Sequence, residues 1–286
     1  EVTGAGPPIL FMHEFAGDHR SWEPQVRHLS RWFTCITYAA RGYTPSDVPT
    51  DPAAYSQQHA IADAVAVLDG LSVEQAHVAG LSMGGFCALH LARQHPERVL
   101  SAAIGGVGYG AAPERRAAFE RECEAIARAF EKEGSRQVAA RYALGPARVQ
   151  LQAKDPRGHA EFTEMLAEHS HLGSALTMRG FQKSRPSLYD FVDEFAEMTT
   201  PVLVMVGDED DGAIEASLML KRTIPTAGLL VLPKTGHTLN LEEPELFNRM
   251  LTGFFAAVVA GSWGPRDPRS LTTSTTGMDD HPGGTA

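Results

Sequence analysis

Residues 76–85 read Ala-His-Val-Ala-Gly-Leu-Ser-Met-Gly-Gly, and the reading of this stretch decides the fold. Ala76 to Ala79 is a short apolar run of strand length, and Met83 to Gln94 is a longer run with helical spacing. Ser82 therefore stands on a sharp strand-to-helix turn, with the small residues Gly80 and Gly84 permitting the strain. Such a turn lifts the hydroxyl off the edge of a sheet. It also aims the first backbone N–H groups of the helix at whatever binds there, which suits an anionic oxygen.

The same rhythm repeats on either side. Ile9 to Met12, Phe33 to Tyr38, Val99 to Ile104, Val202 to Val206 and Leu229 to Leu232 are further apolar runs bounded by Gly or Pro, most of them followed by a helical stretch. This pattern predicts an α/β fold with a mostly parallel sheet flanked by helices. The uninterrupted Val-Leu-Val-Met-Val of 202–206 reads as a strand buried on both faces. Gln58 to Gly70 sets Ile61, Val65 and Leu68 on one helical face.

Residues 113–190 break the alternation. Pro113 sits where a first helical turn would start, and Phe119, Ile126 and Phe130 recur at helical spacing, with further helices expected at Ala160 to Glu168 and Ser174 to Phe181. The organisation expected is a sheet core over 1–112 and 191–260, an inserted helical cap over 113–190, and a flexible Gly/Pro/Ser/Thr-rich tail over 261–286.

Composition narrows the function classes. The chain has 286 residues, 43% of them hydrophobic, enough for one large core and an inserted subdomain. Its net charge of -10 is spread along the length with no Lys/Arg cluster, which argues against nucleic acid and anionic membranes as partners. Cys35, Cys87 and Cys123 lie far apart without metal-ligand spacing and read as reduced thiols. No apolar run approaches the roughly 20 residues that span a bilayer, and the first residues do not form a signal peptide, so a cytoplasmic location is expected. Nothing in the sequence speaks to oligomeric state.

A serine hydroxyl is a poor nucleophile until a base takes its proton. Of the 12 histidines, His237 directly follows the last strand in Thr235-Gly236-His237, on a loop at the carboxyl edge of the sheet where functional groups converge. His13 also follows a strand. His59, His77, His90, His95, His159, His169, His171 and His281 fall on helices, in a strand or in the tail, where a surface or core role is the expected one. A base of this kind needs a carboxylate to fix its tautomer, and Asp208-Glu209-Asp210-Asp211 follows the Val202 to Val206 strand at the same edge. The chain order of serine, acid and histidine is the one found on α/β sheets.

With these pieces in place the chain resembles the α/β-hydrolase family, in its branch of small cap-bearing esterases, haloperoxidase-like proteins and ring-cleavage-product hydrolases. The resemblance covers about residues 5 to 258. Ser82 in Gly-Leu-Ser-Met-Gly-Gly matches the family nucleophile, and His237 in Gly-His-Thr-Leu-Asn-Leu-Glu-Glu-Pro matches the family base. The family acid commonly lies three residues after the glycine that ends its strand, which selects Asp210 after Gly207, with Asp208 and Asp211 as alternatives. His13-Glu14-Phe15-Ala16-Gly17 resembles the oxyanion loop, which implies the backbone N–H groups of Phe15 and Met83 as the two donors.

Two segments depart from the family pattern. Glu14 replaces a glycine, which restricts the loop and implies that it sits differently. Around Arg41-Gly42, Ala39 replaces an Asp and Pro45 displaces a Gly, so this segment reads as a structural turn. The chain also starts just before the third strand of the usual sheet, so most of the two leading strands is expected to be absent.

The resemblance implies a serine hydrolase that cleaves esters of small to medium acyl substrates through an acyl-enzyme, without cofactor or metal. Phe15, Met83, Ile214 and Leu239, with Phe162, Met165 and Leu176 from the cap, are the expected pocket wall. A second reading is carbon-carbon bond hydrolysis of a ring-cleavage product, with Arg141, Arg148, Arg179 or Arg185 meeting a substrate carboxylate, although solvated surface is the ordinary fate of any one arginine. A third is a ligand-sensing protein that keeps the fold and uses the triad little.

Overall fold

The computed structural model describes residues 1–271 and Thr275. Among these, β1 (Val2–Thr3), β2 (Pro8–Met12), β3 (Thr34–Thr37), β4 (Ala76–Leu81), β5 (Val99–Gly105), β6 (Val202–Gly207) and β7 (Ala227–Leu232) form one sheet. Their spatial order is β1-β3-β2-β4-β5-β6-β7. All neighbours from β3 to β7 run parallel, as strand-helix alternation predicts, because a parallel return needs a crossover long enough to hold a helix. Ahead of β2 the chain contributes one short antiparallel strand, with Val2 opposite Ile36. Its two exposed residues carry no periodicity from which a strand could be read.

Side chains alternate across the sheet and divide the core in two. Val202 and Val204 of β6 join Leu10, Val78 and Ile104 on one face, whereas Leu203 and Met205 join Ile9, Phe11 and Ala79 on the other. β6 is thus buried on both faces, as its unbroken apolar run predicts. The first face carries α2 (Gln57–Gly70) and α3 (Met83–Gln94), with Ile61 and Leu68 fully buried and Val65 partly so. The second carries α1 (Glu23–Leu29), which packs against α12 (Pro244–Val259).

Between β5 and β6 lie α4 (Pro113–Glu133), α5 (Ser135–Tyr142), α6 (Val149–Lys154), α7 (Pro156–Ala167), α8 (His171–Thr177) and α9 (Val192–Ala196). Pro113 opens α4 at its first helical position. The segment Met178–Lys183 is a π-helix, a wider coil that re-aims side chains and recurs at functional sites. α10 (Asp211–Thr223) joins β6 to β7, and α11 (Leu239–Glu242) precedes α12.

The stretch assigned to a tail holds an anchored residue near its start. Trp263 Nε1 donates to the Thr226 carbonyl at 2.9 Å, and its ring meets Phe254 edge-on at 4.6 Å. The rest of that stretch after Leu271, His281 included, lies outside the described residues apart from Thr275. Among the described residues no helix is long and apolar enough to cross a membrane.

Candidate active site

Ser82 occupies the junction between β4 and α3 at φ 51 and ψ -115, a conformation that L-residues adopt rarely and at a cost. The glycines on either side are there because of close approach. A Cβ on Gly80 would come within 2.2 Å of the Gly84 carbonyl oxygen, and one on Gly84 within 2.0 Å of the Met12 carbonyl oxygen. The turn is pinned by the Ser82 N–H donating to the Gly105 carbonyl at 2.8 Å. Met83, the first residue of α3, has one of the N–H groups that helix geometry leaves without an intrahelical partner.

The histidine and the acid meet at the same edge of the sheet. His237 Nδ1 lies 2.8 Å from Asp210 Oδ2, both groups buried. An ionised carboxylate can only accept, so Nδ1 carries the proton and a neutral ring keeps Nε2 free as an acceptor. The other two aspartates are exposed: Asp208 accepts from the Thr235 N–H at 3.2 Å, and Asp211 opens α10. Of the three aspartates weighed, Asp210 is the one that meets the imidazole.

Each member of this pair shifts the other's titration. Burial opposes ionisation of Asp210, but the adjacent His237 and hydrogen bonds from His237 and Tyr109 outweigh it, holding the carboxyl below its usual range. Burial likewise opposes charge on His237, yet the Asp210 carboxylate prevails and raises the imidazole above its ordinary value.

Two contributors to this arrangement escape a reading of the sequence. Tyr109, on the loop after β5, donates from its hydroxyl to Asp210 Oδ1 at 2.9 Å, and its ring stands edge-on to His237 at 5.2 Å. The buried Glu242 accepts from Gly236 N–H at 2.6 Å, Thr238 N–H at 2.9 Å and Thr238 Oγ1 at 2.8 Å, gripping the chain on both sides of His237. For Tyr109 the available signal is its place just beyond a strand's carboxyl end. For Glu242 it is the acidic residue in the quoted His237 segment.

The loop carrying Phe15 is equally fixed. His13 Nε2 accepts from the Ala40 N–H at 2.9 Å, which leaves Nδ1 to donate to the Glu14 carbonyl at 2.7 Å. Burial pushes this imidazole down to about 4, so it is a neutral brace. Tyr43 donates to the Phe15 carbonyl at 2.9 Å. Residues 39–47, which read as a turn, thereby hold Phe15 from outside the site. Glu14 is buried and paired with the buried Arg148 of the helical block, so the residue that departs from the family pattern is a cross-brace.

A cavity of about 440 Å³ opens over these groups. Phe15, Ser82, Tyr109 and His237 form its floor, and Phe119, Ile126, Val138, Tyr142 and Met178 of the helical block form much of its apolar wall. The expected wall residues fare differently, because helical spacing shows which residues face inward and not whether they face core or void. Phe15 lines this cavity, whereas Met83 lines a small neighbouring one behind the loop. Phe162 is fully buried beneath the Arg148 guanidinium at 4.9 Å, and Leu239 packs into the opposite core with Phe247 and Phe254. Leu176 is buried in α8, Met165 packs against the main core, and Ile214 is half-buried on α10.

The four arginines also separate. Arg141 and Arg179 pair with glutamates: Arg141 with Glu133, and Arg179 with Glu124 and Glu131. Arg148 and Arg185 are buried at 1% and 3% exposure, contrary to the surface role expected of either. Among the described residues no cluster of three or more His, Cys, Asp or Glu side chains is arranged for a metal ion.

Comparison with known proteins agrees with this architecture. A family model described as alpha/beta hydrolase fold matches residues 7–244. The chain is 26% identical over 253 residues to 3-oxoadipate enol-lactonase 1 of Acinetobacter baylyi, covering 88% of this chain and 90% of that protein. It is similar to the structure of a thermophilic esterase from Thermogutta terrifontis, with 25% identity, a TM-score of 0.80 and coverage of 90% and 92%. MenH from S. aureus shares the fold at 17% identity, with a TM-score of 0.83 and coverage of 91% and 98%.

Proposed function

This chain belongs to the α/β-hydrolase family, and from that premise we propose that it is a serine hydrolase cleaving carboxylic esters of small to medium acyl substrates. The observation that carries the reading is that Ser82 and His237 open onto one cavity while His237 Nδ1 is bound to Asp210. The free Nε2 takes the serine proton as Ser82 attacks the acyl carbon. The resulting oxyanion is held by the N–H groups of Phe15 and Met83, and His237 then protonates the departing alcohol. Water, activated by the same imidazole, releases the acid from the acyl-enzyme. A cavity of about 440 Å³ suits a small to medium substrate.

A fluorophosphonate probe tests this reading, because it labels only an activated serine. The adduct is expected on the peptide containing Ser82, together with hydrolysis of p-nitrophenyl butyrate. A folded protein that takes up no label and cleaves no ester would transfer the case to a binding role on the same scaffold.

The pH profile follows from the charge arrangement. His237 must be neutral to act as base, and a raised pKa retains its proton to higher pH. The acid limb of kcat/KM for an uncharged ester is therefore expected above the ordinary imidazole value of about 6.5. Asp210→Asn removes the charge responsible, so the limb should move to lower pH while kcat falls by roughly 10⁴. A limb that stays in place in this variant would dissociate Asp210 from the titrating base.

A further inference from the structure

Arg185 follows the π-helical segment and lines the same cavity as Ser82 and His237, though only 3% of it is exposed. Its Nη2 donates to the Tyr109 carbonyl at 2.7 Å, and its guanidinium lies 3.9 Å from the Phe86 ring centroid and 5.1 Å from that of Phe119. Its Nη1 is buried without a hydrogen-bond partner among the described residues. Arg141, Arg148 and Arg179 each have a glutamate, but no carboxylate of the described residues forms a salt bridge with Arg185.

A buried cation with no counter-anion is costly, and a cleft is where such a cost has a function. We infer that Arg185 is a recognition site for a carboxylate carried by the substrate, apart from the bond that is cleaved. The inference rests on the acyl-transfer reading in that the carboxylate belongs to the same molecule as that bond. A guanidinium fixed by stacking offers a planar fork to a carboxylate, and the unpartnered Nη1 is the donor it would use. Gln182, from the π-helical segment, also lines the cavity and adds an amide. Glu122 lines it as well but is exposed, and its charge disfavours a dianion, so a single carboxylate fits best. Burial also pushes the Arg185 pKa down to about 9, and a bound anion would relieve that shift.

The test presents the anion on either side of the scissile bond. p-Nitrophenyl hemiglutarate is compared with p-nitrophenyl valerate, and 4-carboxyphenyl valerate with phenyl valerate. At least one charged ester is expected to exceed its neutral partner in kcat/KM by about tenfold or more, and Arg185→Met to bring that ratio near one, chiefly through KM. Arg185→Lys should recover part of the ratio by keeping the charge without the fork. Equal use of charged and neutral esters by the parent enzyme, or a ratio indifferent to Arg185→Met, would overturn the assignment. If no ester is cleaved, the nucleophile reading fails on its own, and calorimetry with monomethyl glutarate decides this one. Binding weakened by Arg185→Met supports it, and absence of binding to the parent protein overturns it.

Discussion

Ser82→Ala is expected to lower kcat by about 10⁵ to 10⁶ while leaving the unfolding midpoint unchanged, because members of a nucleophile-base-acid unit act together. Alanine keeps the Cβ, so the strained backbone at φ 51 is neither relieved nor worsened. The hydroxyl removed belongs to the cavity lining, and the glycine approaches that hold the turn do not involve it. Steady-state hydrolysis of p-nitrophenyl butyrate together with a urea titration separates chemistry from folding. A variant that turns over at the parent rate would remove Ser82 from the mechanism, and a large loss of stability would make the kinetic deficit uninformative about chemistry.

The second large effect concerns stability. Arg148→Met should cost about 3–5 kcal/mol of unfolding free energy, because it strands the Glu14 carboxylate in a buried site. Glu14→Gly, which restores the residue usual in the family, should destabilise as well, since it abandons a guanidinium sandwiched near Tyr142 at 5.6 Å and Phe162 at 4.9 Å. The double variant Glu14→Gly, Arg148→Met should recover much of the loss, because replacing both ions costs far less than orphaning one. Chemical denaturation of the three proteins measures this. Additive losses in the double variant would mean that the two residues contribute independently.

These two cases also mark how far the sequence can be read. Ser82 and His237 are legible because each sits immediately after a strand, where a few neighbouring residues define the turn or loop that displays it. From the residues alone Asp210 is one of an acidic cluster, since a short stretch of chain cannot show which carboxylate turns inward, and it is the resemblance to the family that singles it out. Six of the seven strands among the described residues follow from their apolar runs, while β1 has two exposed residues and depends on pairing with a distant strand. Glu14 looks like a local irregularity because its partner lies 134 positions away. The cavity wall is hardest to read: Phe119 and Phe162 both lie on inward helical faces, and only the packing of α4 against its neighbours leaves one beside a void and the other in the core.

The bond between Glu14 and Arg148 also bears on how molecules come and go. It rivets the helical layer to the loop beneath, so lifting that layer like a hinged cover would leave two ions bare in a greasy seam. Glu122 and Arg141 are exposed residues of the cavity lining, so with the cover riveted, a molecule is expected to enter on their side and to be sorted there by its girth.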